Sequence, residues 1–314
     1  MDRKDITNPD NWTNIANLYL GLKHRKLALE ASKEALILKP EDLLAWLYIL
    51  DISRHYNDPD LPIRVVSQLN DIDALIGLAI ACVNSRNHSK AEQIYRKVKI
   101  IAPNYVKTWN FYGVFCALTN RYEESEKSLL RAIELSPSWQ EPYINIGGLY
   151  FKMRQDKETE MSYLKAIELV PEYPISYLGL LVFYRKKQRK EDYLSIFDKL
   201  TKIAPHYAPV WFELGLFNFE EYERTKSREN LEQAEFDFYK AILHYSGYGD
   251  AINMHHKVHE LLGKKKTFLG SIPSPKERYY YPSGPPPWID EKGILKLPNK
   301  PEIEMPSLQE LLEL

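Results

Sequence analysis

The feature that most constrains this chain is a proline that recurs every 34 residues. Each of these prolines closes an apolar run, and the four are Pro103, Pro137, Pro171 and Pro205. Pro40 closes a similar run 63 residues before the first of them, which is five residues short of two periods. A period of this length is typical of stacked repeats, and the shortfall predicts a shortened, degenerate repeat at 41–71.

The residues within one period predict two helices and a stop. Repeat positions 4, 7, 8 and 11 lie on one face of a helix, so they form an apolar stripe that another helix must cover. A small residue at position 8, such as Gly113, lets the partner helix approach closely. The closing proline ends the second helix because it has no amide hydrogen and disfavours a helical conformation in the residue before it.

This pattern resembles the tetratricopeptide repeat family, in which W-x2-L-G-x2-Y is followed by A-x3-F-x2-A and then a proline. The matching residues of the first helices are Trp12, Ile15, Ala16, Tyr19, Trp109, Tyr112, Gly113, Cys116, Tyr143, Ile146, Gly147, Tyr150, Trp211, Leu214 and Gly215. Those of the second helices are Ala28, Ala35, Leu129, Ala132, Tyr163, Ala166, Phe197, Leu200, Phe238 and Ala241. The resemblance implies an all-α fold, a right-handed superhelical solenoid of about seven helical hairpins with a C-terminal proline-rich tail.

The period also predicts the boundaries along the chain. We expect an N-terminal extension at 1–8, the repeat solenoid at 9–248, a capping helix at 249–263, and an extended proline-rich tail with a short terminal helix at 264–314. The repeats are expected at about 9–40, 41–71, 72–105, 106–139, 140–173, 174–207 and 208–248. The last repeat has seven residues in excess, which we expect in the charged stretch 220–230 between its two helices.

Composition and charge narrow the classes of partner and location. The chain has 42 basic and 43 acidic side chains, so its net charge of -1 gives no general attraction to nucleic acid or to an anionic membrane. No leader-like apolar segment and no apolar run of about 18 residues occurs, which predicts no membrane insertion. We therefore expect an intracellular, cytoplasmic protein, with a nuclear location left open. Cys82 and Cys116 lie 34 residues apart and are expected in the core, which fits a reducing compartment.

No motif for catalysis is present. The sequence lacks a phosphate-binding glycine loop, a nucleophile elbow and a zinc-type cysteine pair, and we expect no cofactor. The repeats leave no room for a separate catalytic domain, so we expect that the protein is not an enzyme. A transferase or hydrolase that uses carboxylates and histidines near 244–260 is the competing hypothesis, but no paired acid and base is recognisable there.

If the chain resembles its family, the first helices line a groove with repeat positions 2, 5, 9 and 12. An apolar lining of this length favours a docking site for another protein or a peptide. The alternative is that neighbouring repeats bury these side chains. The predicted lining residues are Ile76, Ile80, Val83, Asn110, Val114, Ile144, Asn145, Phe151, Leu178, Val182, Phe212, Leu216 and Phe219.

Two grooves known in the family fit less well. The clamp that binds the acidic tail of chaperones needs cations at particular repeat positions, and this chain has none at those positions. Charge-assisted hydrogen bonding to a carboxylate is therefore disfavoured. The asparagine ladder that holds an extended peptide is interrupted at Gly179 and Glu213, although Asn110 and Asn145 could still bind a peptide backbone. Capping or solvated amides explain these asparagines equally well.

Three smaller features have a functional and an ordinary interpretation. The basic cluster Arg185, Lys186, Lys187, Arg189 and Lys190 could bind an acidic partner or serve nuclear import, but a solvated turn is the favoured interpretation. A terminal LQELL sequence resembles a helix that docks into a partner's groove, and an ordinary amphipathic turn is favoured there too.

The third feature is a pair of histidines. His255 and His259 lie four residues apart beside His256, which is a metal-ligand spacing. No third ligand is recognisable from the sequence, so we expect no metal.

The sequence therefore predicts a protein-interaction scaffold or adaptor, a subunit of a larger assembly. The alternative is a receptor or co-chaperone-like module whose own tail occupies and regulates the groove. The tail carries nine of the 20 prolines but also apolar residues, and a tether would make their contact with an apolar groove intramolecular. The apolar tail residues are Tyr279, Tyr280, Tyr281, Trp288, Ile289, Ile294, Leu295 and Leu297.

Overall fold

The computed structural model describes residues 8–245 and 247–264. Within these residues the chain forms fifteen α-helices and no β-strand, so the predicted all-α fold is confirmed. Seven helical hairpins are followed by one further helix. The predicted terminal extension, apart from its last residue, and the predicted tail beyond Lys264 lie outside the described residues. The chain divides into two compact units between Pro137 and Ser138, and each is described separately below.

Unit 1 contains four hairpins. Its helices are α1 Pro9–Gly21, α2 Arg25–Leu38, α3 Leu43–Tyr56, α4 Leu61–Leu69, α5 Ile72–Asn84, α6 His88–Ile101, α7 Val106–Leu118 and α8 Tyr122–Leu135. The first helices of successive hairpins contact one another, α1 with α3, α3 with α5, and α5 with α7. These contacts cover the apolar faces that single hairpins would leave open.

Unit 2 contains three hairpins and the final helix. Its helices are α9 Gln140–Lys152, α10 Asp156–Leu169, α11 Pro174–Lys186, α12 Lys190–Ile203, α13 Ala208–Thr225, α14 Arg228–His244 and α15 Gly249–Leu261. The first helices again pack in series, α9 with α11 and α11 with α13. Helix α15 packs on α14, in the stretch where the sequence predicts a capping helix.

The recurring prolines act at the places that the period predicts. Helices α6, α8, α10 and α12 each end two residues before one of them. At three of these prolines and at Pro40, the proline carbonyl accepts a hydrogen bond from the aromatic residue six positions later. The bonds are Trp46 Nε1 to Pro40 (2.8 Å), Trp109 Nε1 to Pro103 (2.7 Å), Tyr177 OH to Pro171 (2.7 Å) and Trp211 Nε1 to Pro205 (2.8 Å). Each bond ties the start of one hairpin to the end of the hairpin before it.

The degenerate repeat and the long repeat differ from the period in different ways. Helix α4 has 9 residues, whereas α2 and α6 have 14, so the shortening falls within a second helix. The excess of the last repeat does not lie between its helices, and that expectation is wrong. Helices α13 and α14 have 18 and 17 residues, and only residues 226–227 separate them. The charged stretch 220–230 contains residues with good helix propensity, so it extends both helices and not the connection.

The two cysteines are core residues. Cys82 and Cys116 are both buried, and neither forms a disulfide. Burial raises the pKa of each thiol to about 11. Both side chains are therefore protonated near neutral pH and pack as small apolar groups.

Tyr163 shows how closely the helices of unit 2 approach. Its ring on α10 lies against Gly147 of α9 and Gly179 of α11, where a Cβ would come within 3.2 Å and 2.3 Å of ring atoms. The ring is buried, with 6% of its surface exposed. Because both neighbours lack a side chain, one aromatic ring fills the space between two first helices.

We expect Gly179→Ala to destabilise unit 2 and Gly148→Ala to stabilise it. A Cβ at Gly179 would overlap a ring that Gly147 confines on its other side, which costs about 1–3 kcal/mol. A Cβ at Gly148 would lie 3.5 Å from the Tyr163 hydroxyl, an ordinary contact, and alanine in a helix gains about 0.5–1 kcal/mol over glycine. Chemical denaturation of the two variants measures both effects. Equal effects of the two substitutions would contradict this packing.

Candidate partner-binding surface

The first helices of unit 2 carry apolar side chains at the same positions of successive repeats. Ile144, Leu178 and Phe212 are each 34 residues apart on α9, α11 and α13. Val182 and Leu216 are a second pair at that spacing, one helical turn further along. Since α11 contacts both α9 and α13, these residues form a row across three helices. We call Ile144, Phe151, Leu178, Val182, Phe212 and Leu216 the apolar row.

Every member of the apolar row is half-buried. Ile144 and Phe151 pack against the core below, and the Phe151 ring meets Phe183 edge-on with centroids 5.9 Å apart. Phe212 contacts the rings of Phe238 and Tyr248, at 5.7 Å and 4.9 Å between centroids. The row is thus held in place by its own core while part of each side chain stays accessible.

Three residues that the sequence places in the groove lining are buried. Ile76, Asn110 and Phe219 have 1%, 0% and 5% of their surface exposed. Neighbouring helices cover them, as the alternative interpretation of the sequence supposes for the whole lining. Asn110 therefore cannot reach a bound peptide, whereas Asn145 beside Ile144 is half-buried and can.

Unit 1 carries a smaller version of this surface. Ile80 and Val83 on α5 and Val114 on α7 are half-buried, and α5 contacts α7. Ile80 and Val83 also pack against the core of this unit. With Ile76 and Asn110 buried, only these three predicted lining residues remain accessible in unit 1.

The most exposed large apolar side chains lie elsewhere, which sequence reasoning missed. Ile100, Leu18, Leu22, Ile37 and Met161 are 77%, 67%, 65%, 63% and 60% exposed. Ile100, Ile37 and Met161 lie on second helices, and Leu18 and Leu22 lie at the end of α1. None of them occupies a repeat position that predicts the groove lining. Single exposed apolar residues are common on protein surfaces, so their exposure alone defines no site.

A buried ionic group links successive repeats in unit 1. Lys107 Nζ lies 3.2 Å from Asp73 Oδ2 and 3.4 Å from Glu41 Oε1, and the Tyr105 hydroxyl donates to Asp73 Oδ1 at 2.7 Å. Asp73 and Lys107 occupy the same position of two repeats, 34 residues apart. Lys107 is shared between the two carboxylates, so the group acts as a cross-link between hairpins.

A cavity lies beside the shortened helix α4. Its volume is about 440 Å³, and its wall includes Leu50, Asp58, Pro62, Cys82 and Lys90. Because α4 is five residues shorter than its counterparts, this hairpin leaves space that a full repeat would fill. The wall mixes apolar groups with charges of both signs, so it favours no single class of ligand.

The predicted basic patch is neutralised in the structure. Arg185 is buried, its Nε donates to Glu213 Oε2 at 2.9 Å, and its Nη1 donates to Glu220. Burial raises the pKa of the Glu213 carboxyl, and the Arg185 charge opposes that shift. Lys186, Lys187, Arg189 and Lys190 pair with Glu220, Asp156, Glu160 and Glu221, and Arg189 also pairs with Asp192. The sequence favours a solvated turn for this cluster, and that expectation is wrong at Arg185, whose buried side chain joins α11 to α13.

We expect Arg185→Met to destabilise the protein far more than Lys186→Met, although both side chains pair with Glu220. Loss of Arg185 leaves Glu213 buried without its cation, which costs about 3–5 kcal/mol. Lys186 is half exposed, and its loss costs less than about 1 kcal/mol. Urea denaturation provides the comparison, and the double variant Arg185→Met/Glu213→Leu should recover much of the loss. Similar midpoints for the two single variants would contradict this assignment.

The comparisons with known proteins agree with this architecture. Residues 9–42 and 106–138 match the sequence profile of the tetratricopeptide repeat. These two segments are therefore tetratricopeptide repeats by sequence, and the seven hairpins have the fold of that superfamily. No curated protein gives a significant match over the sequence. In the part of the chain that the structure describes, no helix is both long and apolar enough to cross a membrane.

Three solved structures illustrate the likeness. A tetratricopeptide repeat protein from Parabacteroides merdae has a TM-score of 0.55 at 16% identity, covering 80% of this chain and 98% of that chain. The human IFIT1 dimer with m7Gppp-AAAA has a TM-score of 0.52 at 16% identity, and the match covers 80% of this chain and 64% of that chain. The APC/C hetero-tetramer Cut9–Hcn1 has a TM-score of 0.51 at 14% identity, and the match covers 80% of this chain and 46% of that chain. This chain thus spans less than half of that last protein chain, and identities this low show the fold alone.

Proposed function

We propose that this protein is an interaction scaffold or adaptor, a subunit of a multiprotein assembly, that binds a peptide or partner segment on the apolar row of unit 2. Tetratricopeptide repeat proteins generally mediate protein–protein interactions, and solenoids of this kind use the inner surface of stacked repeats for binding. The finer proposal concerns which residues of this chain do so.

The observation that carries the proposal is the repetition of half-buried apolar side chains on α9, α11 and α13. A segment lying across the three helices would meet an apolar side chain at each repeat, and covering them removes apolar surface from water. Phe212 and Phe151 are the aromatic members of the row, and aromatic side chains often dominate binding energy at interfaces. Asn145 adds an amide that can donate to and accept from a peptide backbone.

The charges around the row support an apolar partner segment over an acidic one. Arg185 and Lys186, at the end of α11, are already paired with Glu213 and Glu220, whereas Lys152 beside Phe151 is exposed. A carboxylate-rich segment would have to displace these pairs. Affinity would therefore come from apolar anchors, with backbone hydrogen bonds fixing the register.

The alternative, in which the chain's own tail occupies the surface, rests on the apolar residues of that tail. Trp288, Ile294 and Leu295 have the chemistry that the apolar row would bind. A tether raises the effective concentration of such a segment, to the millimolar range for short flexible linkers. The tail would then compete with any external partner for the same residues.

We expect peptides selected from a random displayed library against the full chain to carry apolar anchors and to depend on the apolar row. Leu178→Gln and Leu216→Gln should each weaken binding roughly tenfold, about 1.4 kcal/mol, because a buried apolar contact is lost. Leu194→Gln is the matched control, since Leu194 is 44% exposed on α12 and lies outside the row. Binding is measured by calorimetry, with circular dichroism as a check on folding.

The proposal is contradicted if the control variant weakens peptide binding as much as the row variants do. It is also contradicted if the selected peptides bind both row variants as tightly as the wild type. The tail hypothesis is tested in the same assay. The full-length triple variant Trp288→Gln/Ile294→Gln/Leu295→Gln binds the selected peptides more tightly if the tail competes, and with unchanged affinity if it does not.

A further inference from the structure

Three side chains of ligand type converge where α14 packs on α15. His255 and His259 lie one turn apart on α15, with ring centroids 5.6 Å apart and planes at 25°. Glu235 of α14 places Oε1 2.6 Å from Nδ1 of His259. One ligand atom from each of the three residues lies within 4.8 Å of the other two. The sequence shows the two histidines, but only the packing of the helices brings the carboxylate to them.

The state of His255 is the second observation that points to a ligand. The residue is 6% exposed, and its Nδ1 is buried without a hydrogen-bond partner. A buried polar atom without a partner costs about 1–3 kcal/mol, so native proteins rarely retain one without a reason. An ion that accepts the lone pair of this nitrogen would satisfy it.

We propose that Glu235, His255 and His259 bind a divalent transition-metal ion of the zinc class. Two imidazoles and one carboxylate suit zinc and its neighbours, whereas calcium and magnesium prefer oxygen ligands alone. Three protein ligands leave a fourth tetrahedral position for water. The inference is independent of the apolar row and of the proposed function.

The side chains need only a small rearrangement to reach ligand geometry. Zinc binds nitrogen and oxygen at about 2.0–2.2 Å, which puts tetrahedral ligand atoms about 3.3–3.5 Å apart. Because all three ligand atoms lie within 4.8 Å of one another, no separation has to shrink by more than about 1.5 Å. Glu235 and His259 are half-buried and can turn by small side-chain rotations, while the buried His255 stays in place.

Lys264 competes with the metal. Its ammonium pairs with Glu235 Oε2, and its side chain is 45% exposed, so it can turn to solvent when an ion arrives. Both cations neutralise the same carboxylate, and removing the lysine should favour the metal. Loss of Lys264 should therefore strengthen zinc binding at a metal site. In an ordinary ion-pair cluster, the same loss would only weaken the cluster.

Metal binding would join the final helix to the last hairpin. Glu235 belongs to α14 and both histidines to α15, so the ion would add a cross-link between two helices that already pack together and share the Glu235–His259 contact. An ion that binds the folded form and not the unfolded chain stabilises the fold by mass action. Zinc would thus control how firmly α15 covers the end of unit 2.

The test is zinc titration of the full chain by calorimetry, with cobalt absorption spectra to report the ligand set. We expect one zinc per chain in the wild type and an affinity at least roughly tenfold lower in Glu235→Gln and His255→Gln. Lys264→Met should bind zinc more tightly than the wild type. Zinc should also raise the unfolding temperature of the wild type but not that of Glu235→Gln.

The matched controls are His256→Gln and His206→Gln. His256 is exposed on the same helix, and His206 lies away from the cluster beside His244, at 5.1 Å between ring centroids. Both controls should bind zinc as the wild type does. The proposal is overturned if the wild type does not bind zinc at micromolar concentrations, or if Glu235→Gln binds as tightly as the controls. Glu235→Gln keeps the test valid if His255→Gln fails to fold, since glutamine has the size and shape of the glutamate that it replaces.

Discussion

The structure depends on one constraint, that a single hairpin cannot cover its own apolar face. Each first helix packs against the first helix of the next hairpin in its unit, and the fit is close enough for one ring to fill the gap. Tyr163 is an example, because its ring packs against Gly147 of one first helix and Gly179 of the next. Bonds such as Trp211 to the Pro205 carbonyl then fix where each hairpin starts relative to the one before. Stability is therefore shared between neighbours along the chain.

Local patterns predicted the fold because the repeat is a local property. Pro103 and its equivalents, with apolar stripes at helical spacing, were sufficient to predict an all-α chain of hairpins. Features that join distant residues could not be found this way. No single-repeat pattern shows that Lys107 meets Asp73, that Arg185 turns inward onto Glu213, or that Glu235 reaches the histidines of α15. These depend on side-chain packing between elements, which periodicity does not encode.

The candidate binding surface was likewise predictable where it depends on repeat positions and unpredictable where it depends on packing between helices. Repeat positions predicted which residues share a face, and Ile144, Leu178 and Phe212 do form a row in unit 2. Their exposure was not predictable, because it is set by how deeply each helix sits against its neighbours, and Ile76 and Phe219 are covered as a result. The side chains of the row that remain accessible are apolar, which favours a partner that binds through apolar anchors. The end of unit 2 offers a separate, ionic chemistry between α14 and α15.

The central claim is that partners bind on the first helices of unit 2. Hydrogen–deuterium exchange of the full chain, with and without a selected peptide, tests it most directly because it reports each helix separately. The account predicts slower exchange in α9, α11 and α13 on binding, with α10 and α12 unchanged. Protection confined to the second helices, or to unit 1, would contradict it.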